Sequence, residues 1–312
     1  MSNYSEGKLQ LEAKNTTWTK VFNFVPAGST VLDVGCSDGE LGRELKARKG
    51  CTVYGIELEP GDLAKARKVL DGVFDVNLET DSMPVALAKK HFDAIILADV
   101  IEHFVHPSET LQTLKGLLSK DGRIIFSIPN MSHISVRLQL LGGRLVYNET
   151  GLLDKTHLHF YDFQEVLRIM HDAGLQIVEN DANSLPYPPS FLQEKLAALG
   201  LRDAGFIAHT QKDRDAQTFQ FVGYAVDAKN AKVKKVHLTT TTPEYELVKY
   251  IETTKRSLDD TMKQVQAVRA AKEALQTEAD ELRDRLDRIQ GTVLWKVASR
   301  THRALWGLRR RA

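Results

Sequence analysis

From about residue 30 to residue 180, short apolar runs alternate with segments of helical period. The runs are Thr30–Val34, Thr52–Glu57, Val73–Val76, Phe92–Ala98, Arg123–Ile128 and Gln176–Glu179. Most are nearly continuous in Val, Ile, Leu, Phe and Ala, which is how strands read when both faces of a sheet are covered. Helical periodicity falls between them at Gly39–Lys49, Asp62–Leu70, Pro107–Leu118 and Asp162–Ala173. The alternation predicts an α/β fold, a doubly wound and mostly parallel sheet. A seventh run, Thr218–Val226, comes after a long gap and would close the sheet. Two interruptions, 129–161 and 182–216, are too long for simple connections and are expected to be lids or substrate loops.

The pattern changes near residue 228. The segment KNAKVKKVHLTTTTPEY is polar, basic and threonine-rich, and reads as a linker. Beyond it, with Ile251 at position a of a heptad, the a sites are Ile251, Leu258, Val265, Lys272, Ala279, Leu286 and Val293. Leu247, Val268, Leu275, Leu282 and Ile289 occupy d sites, with Thr254 and Thr261 as weak points. This spacing predicts a coiled coil, and with it a homo-oligomer. The last stretch, GTVLWKVASRTHRALWGLRRRA, carries Lys and Arg but no acid. On a helical wheel it has an apolar side, tryptophans at the margin and a basic side, which suits an anionic membrane surface. The expected organisation is therefore an α/β domain over 1–228, a linker over 229–243, a coiled coil over 244–290 and a basic amphipathic tail over 291–312.

Composition narrows the setting. The 312 residues are 42% hydrophobic and 27% charged, and the net charge of +1 excludes a nucleic-acid polycation. The two cysteines, Cys36 and Cys51, form no CxxC pair and no disulfide framework, which fits a reducing compartment. The N-terminus lacks a basic cluster followed by an apolar run, and no stretch is long and apolar enough to span a bilayer. The expectation is a cytoplasmic protein, peripheral at the inner membrane if the tail binds there.

The sharpest chemistry lies in Val31–Leu32–Asp33–Val34–Gly35–Cys36–Ser37–Asp38–Gly39. A strand ends, a glycine-bearing loop follows, and a helix begins. Nucleotide-type ligands bind at this place in open α/β sheets. The loop resembles motif I of the class I S-adenosylmethionine-dependent methyltransferases, with Asp33 as its acid, Gly35 and Gly39 as two of its glycines, and Ser37 where the middle glycine stands in the family. Glu57, at the end of the second strand, matches the family's acid for the ribose hydroxyls. Asn77 and Leu78, after the third strand, match its adenine-flanking pair, and the stretches FDAIILADVIEHF and KDGRIIFSIPN continue the series. The resemblance covers roughly residues 15 to 228. It implies a Rossmann-like methyltransferase fold with S-adenosylmethionine as cofactor, held by Asp33, Gly35, Cys36, Gly39, Glu57, Asn77, Leu78 and Asp99. A nicotinamide-dependent enzyme is the rival, but the glycine that approaches a pyrophosphate is absent at Ser37.

Methyl transfer to a hydroxyl needs a base. Glu102 and His103 follow the fourth strand, His133 opens the first interruption, and Asp154-Lys155-Thr156-His157 stands near its exit. Histidine titrates near neutrality, so His103 and His157, with Glu102, are the expected catalytic residues. The D-x-T-H segment resembles small-molecule and sugar-directed methyltransferases. No N/D-P-P-Y/F segment follows the fourth strand, so O-methylation is expected over N-methylation. No carboxylate and histidine spacing demands a metal, and none is expected. The coiled coil and basic tail resemble enzymes of bacterial surface-polysaccharide assembly, so the expected acceptor is a sugar hydroxyl of such a glycan or of its lipid-linked precursor. A quinone-like phenol is the alternative, and an inactive coiled-coil scaffold is the reading of a different class.

Overall fold

A computed structural model describes residues 11, 16–231, 243–292 and 296–302. The chain divides into two units, Met1–Thr239 and Thr240–Ala312. Most of the expected linker lies outside the described residues, as do 303–312 of the tail.

The first unit runs, in chain order, α1 (Thr17–Phe24), β1 (Thr30–Val34), α2 (Glu40–Lys49), β2 (Thr52–Ile56), α3 (Pro60–Ala66), β3 (Gly72–Phe74), α4 (Val85–Ala88), β4 (Phe92–Ala98), α5 (Pro107–Lys115) and β5 (Leu118–Pro129). It continues with α6 (Ile134–Leu141), α7 (Phe163–Asp172), β6 (Leu175–Ser184), α8 (Pro189–Ala198), α9 (Phe206–Lys212), α10 (Arg214–Gln217) and β7 (Thr218–Asp227). The strands form one sheet in the order β3-β2-β1-β4-β5-β7-β6. All pairings are parallel except those of β7, which runs antiparallel between β5 and β6. The class I methyltransferase fold expected from the sequence is thus observed.

Alternation along the strands sends successive side chains to opposite faces. On one face Leu32, Ile95, Leu97, Ile124 and Phe126 pack against Leu111, Leu114, Val166 and Met170 from α5 and α7. On the other, Val31, Val53, Ile96 and Ile125 meet Val21, Leu41 and Leu45 from α1 and α2. Covering both faces is why the strands are nearly continuous in apolar residues.

The element boundaries differ from the sequence expectation where backbone detail intervenes. The third strand is Gly72–Phe74, not Val73–Val76, because β2 ends at Ile56 and offers no partner further on. A Cβ at Gly72 would lie 3.0 Å from the Tyr54 ring, so glycine lets the strand close on its neighbour. The α3 helix starts two residues earlier than expected because Glu59 caps it and Pro60 opens it. It also ends earlier, at Ala66. The fifth strand begins at Leu118, and a Cβ at its Gly122 would meet the Phe92 carbonyl oxygen at 2.6 Å. The two long interruptions hold ordered helices, α6 in the first and α8, α9 and α10 in the second. In the second unit, α11 (Pro243–Gly291) is a single uninterrupted helix. No described helix is long and apolar enough to cross a membrane.

Candidate active site

The chain moves outward from β1 to β3 and then returns to β4, so β1 and β4 flank the switch point of the sheet. Ligands in open α/β sheets bind beyond the carboxyl ends of the strands at such a point. After β1, Gly35, Ser37 and Gly39 all take positive φ (71°, 48° and 83°). This folds the loop back on itself before α2. A Cβ at Gly35 would stand 2.9 Å from Val100 Cγ2, just past β4, so the crevice is narrow here.

The amides of this loop are already committed. Those of Gly35 and Cys36 donate to the Ile56 carbonyl at 2.9 and 3.1 Å. Ser37 donates to Glu57 Oε2 at 2.8 Å, Gly39 to the Cys36 carbonyl at 2.9 Å, and Glu40 to Asp38 Oδ1 at 3.2 Å. A pyrophosphate site needs free amides at a helix N-terminus, and this loop presents few. Its charge also has the wrong sign for phosphate. Burial, and then the neighbouring Glu57, push the Asp33 carboxyl up to about 7. The Glu57 carboxylate also accepts from the amides of Leu58 and Glu59, both 2.8 Å from Oε1. Ser37 Oγ donates to the buried Asp62 at 3.1 Å. A ring of carboxylates around a glycine bend suits a cationic nucleoside.

The far side of the crevice is acidic too. Asp99 has φ +57° and directly follows the fourth strand. Its amide donates to Ser127 Oγ at 3.0 Å, and that hydroxyl donates to Asp99 Oδ1 at 3.3 Å. Gln220, on β7, donates to the same carboxylate oxygen. Burial pushes the Asp99 carboxyl up to about 6, against the pull of these hydrogen bonds.

Next along the chain, Glu102 is 1% exposed, and neither carboxyl oxygen has a hydrogen-bond partner. Burial, with the charges of Asp99 and Asp154 adding to it, holds this carboxyl well above its ordinary range. Its backbone carbonyl accepts from the amides of Leu158 (2.9 Å) and His159 (3.2 Å), which pins the exit of the first interruption against the fourth-strand turn. Asp154 shapes that exit by accepting from the amide and hydroxyl of Thr156 at 2.8 and 2.6 Å. The result brings His103 and His157 together, with ring centroids 5.0 Å apart. His103 Nδ1 is 3.1 Å from the Thr156 carbonyl oxygen. A carbonyl only accepts, so Nδ1 carries a proton, and in the neutral ring Nε2 is then the acceptor. His157 Nε2 lies 3.9 Å from Glu102 Oε1. Burial and the proximity of His103 lower the pKa of His157.

A model of the methyltransferase domain matches residues 10–180. The chain belongs to this methyltransferase family. A ubiquinone biosynthesis O-methyltransferase of Xanthomonas axonopodis pv. citri is 30% identical over 170 residues, covering 53% of this chain and 69% of that protein. Another, of Pseudomonas syringae pv. tomato, is 30% identical over 182 residues, covering 55% and 74%. Among solved structures, a TehB-like SAM-dependent methyltransferase from Corynebacterium glutamicum aligns with a TM-score of 0.42 at 15% identity, over 68% of this chain and 86% of that one. This methyltransferase is an S-adenosylmethionine-dependent enzyme, and its acidic, glycine-bent crevice fits a cofactor bearing a sulfonium and an ammonium rather than a pyrophosphate.

Of the residues expected from the sequence, the parallel strands bring Asp33, Gly35, Gly39, Glu57 and Asp99 to one edge of the sheet. Asn77 and Leu78 follow β3 at the same edge. Asn77 shapes its turn by accepting from Glu79, and Leu78 packs on the core. Cys36 contributes backbone alone, because its side chain is buried beside Gly55 in the core under α2. Three of the roughly four acceptor positions of the Glu57 carboxylate are filled by backbone amides, leaving one on Oε2. His133 is a structural residue. It is fully buried, caps α6, and bonds to Ser135 Oγ at 2.8 Å and the Leu185 carbonyl at 3.0 Å. His159 is likewise tied to the Val105 carbonyl.

Sequence reasoning missed Ser127 and Gln220, which reach Asp99 from strands far along the chain and carry no motif. Glu102, His103 and His157, which the sequence reading named as catalytic residues, offer ligand atoms within 4.8 Å of one another, a donor set able to hold a divalent cation. The grouping joins the turn after β4 to a position near the exit of the first interruption, a separation with no signature in spacing.

Proposed function

We propose that this enzyme methylates a phenolic hydroxyl of a quinone-like acceptor, with His103 as general base. The observation that carries this reading is the exposed His103 imidazole in the turn after β4, held through Nδ1 on the Thr156 carbonyl. Bound S-adenosylmethionine supplies an electrophilic methyl group. The positive-φ bend at Gly35 and Gly39 shapes the loop that would face its nucleoside, and Glu57 has one acceptor position left for a ribose hydroxyl. Asp99, held by Ser127 and Gln220, faces the amino-acid end as a carboxylate once a cation is near. The acceptor oxygen would lose its proton to His103 Nε2 as it takes the methyl carbon, the S–CH3 bond breaking with its electron pair left on sulfur as a neutral thioether. Burial favours the uncharged forms of His157 and Glu102 behind His103, which spares the phenolate a second negative charge. Exposed Leu158 and Phe160 flank the histidines and suit an apolar acceptor. The ubiquinone-pathway names of the relatives support the same class.

A sugar hydroxyl is the second reading, carried by the long helix and basic tail rather than by the site. The two readings are separated by incubating the full chain with S-adenosylmethionine and either a prenylated catechol or a lipid-linked glycan. Mass spectrometry then reads the gain of one methylene. Methylation of the catechol, lost in His103→Gln with cofactor binding retained, is the expected result. Methylation of the glycan alone would overturn the phenol reading.

A further inference from the structure

The catalytic unit leaves α11 unexplained, and its exposure is the strongest signal outside the site. Every described residue of α11 from Leu258 to Gly291 is exposed. Leu258, Val265, Val268, Leu275, Leu282, Leu286 and Ile289 are between 46% and 69% exposed. They fall at a and d of successive heptads and so line one stripe. A helix in water is stabilised mainly by packing an apolar face, and this stripe faces solvent.

We propose that α11 pairs with α11 of a second copy of this chain, in parallel and in register, as a two-stranded coiled coil. Charge chooses the orientation. In a parallel pair, each g residue faces the e residue five positions on in the other helix. Glu278 then faces Arg283 of the second copy, twice by symmetry. The remaining pairs, such as Gln264 with Arg269 and Arg285 with Gln290, bring no like charges together. An antiparallel pair that overlaps the same core sets Leu258 against Ile289. It places Ala271 beside Glu278 and Arg269 beside Gln276, and gains no opposite-charge pair. Within its own helix, Arg283 bonds Asp280 at 3.3 Å, an exposed pair that a second carboxylate can share.

Lys272 sets the strand number and register. It stands at an a site in the middle of the stripe. In a two-stranded coil the a site is only half covered, so the lysine stem can pack while its ammonium reaches water. In a three-stranded coil that charge would be enclosed. A single polar a residue costs stability in exchange for one register. Val265 at a, with Leu275 and Leu282 at d, favours two strands, Leu286 at a with Ile289 at d favours more, and the enclosed charge of Lys272 decides for two. The pairing does not depend on which acceptor the enzyme uses.

The test uses the full chain. Light scattering should give the mass of two copies at micromolar concentration. Ala279→Cys places a thiol at an a site, where parallel in-register pairing sets it against its own copy, while Cys36 and Cys51 are buried and stay out of reach. On oxidation Ala279→Cys should run as a covalent dimer and the native chain should not. Glu278→Arg or Arg283→Glu should each weaken the dimer roughly tenfold, and the double exchange should restore it. S-adenosylmethionine binding, unchanged in all variants, reports that the catalytic unit is folded. A monomeric mass, a mass of three or more copies, a dimer that Ala279→Cys does not cross-link, or a charge exchange without recovery would each overturn the proposal.

Discussion

Replacing Gly35 by alanine probes the cofactor loop with two costs that can be separated. Gly35 sits at φ +71°, where an L side chain costs ~1–2 kcal/mol. Its new Cβ would also lie 2.9 Å from Val100 Cγ2, well inside the roughly 3.5–4.0 Å optimum for carbon pairs. Overpacking of that kind costs about 1–3 kcal/mol, so Gly35→Ala should destabilise the catalytic unit by about 2–5 kcal/mol. The second cost depends on Val100 and the first does not. Val100→Ala should therefore give back about 1–3 kcal/mol in the double variant, while the backbone cost stays. Urea unfolding of the wild type, both single variants and the double variant measures the coupling. The same four proteins, titrated with S-adenosylmethionine, should lose affinity in Gly35→Ala and recover part of it in the double variant. A coupling of zero would refute the geometry, because it would mean that the loop after β1 does not press on the turn after β4.

His103→Gln should lower kcat by about 10²–10⁴-fold and leave S-adenosylmethionine affinity unchanged, as single-turnover kinetics and calorimetry would show; equal losses in both would deny His103 its place as base. Because Asp33 titrates near 7 when folded and at 3.8 when unfolded, the folded state holds its proton more tightly. Its contribution to stability is complete below pH 4 and is lost as pH rises toward 7. Denaturation from pH 5 to pH 8 should show a flatter loss in Asp33→Asn than in the wild type, and parallel curves would contradict the assignment. Glu57→Gln turns one acceptor oxygen into a donor facing an amide, losing the charge-assisted bond from Ser37 at a cost of about 1.5–3 kcal/mol; unchanged thermal unfolding would remove Glu57 from the role of joining the two loops.

The sheet was legible because its strands are buried on both faces. Runs such as Phe92–Ala98, apolar but for Asp93, show no alternating polar side for solvent, so period and length alone announced them. The loop at Gly35–Gly39 was legible because positive φ demands glycine or a small residue, and Glu57 because an acid at the end of β2 completes the motif. Gln220 was invisible. It reaches Asp99 from β7 only because that strand inserts antiparallel beside β5, and local pattern says nothing of sheet order. The motif marks Cys36 by its backbone position, and the structure adds that its side chain turns into the core. The pairing of His103 with His157 was anticipated by residue type, but its cause was not. Asp154 and Thr156 form a tight turn whose exit hangs on the Glu102 carbonyl. His133 shows the opposite failure, a histidine in a suggestive place whose two ring nitrogens are spent on a helix cap and a carbonyl.

Equilibrium titration of the wild-type chain with S-adenosylmethionine and, in parallel, with NAD tests the account most directly. The acidic crevice between β1 and β4 predicts saturable one-to-one binding of the sulfonium nucleoside, weakened in Gly35→Ala, and no binding of the dinucleotide. Binding of NAD in preference to S-adenosylmethionine, or S-adenosylmethionine binding indifferent to Gly35, would contradict it.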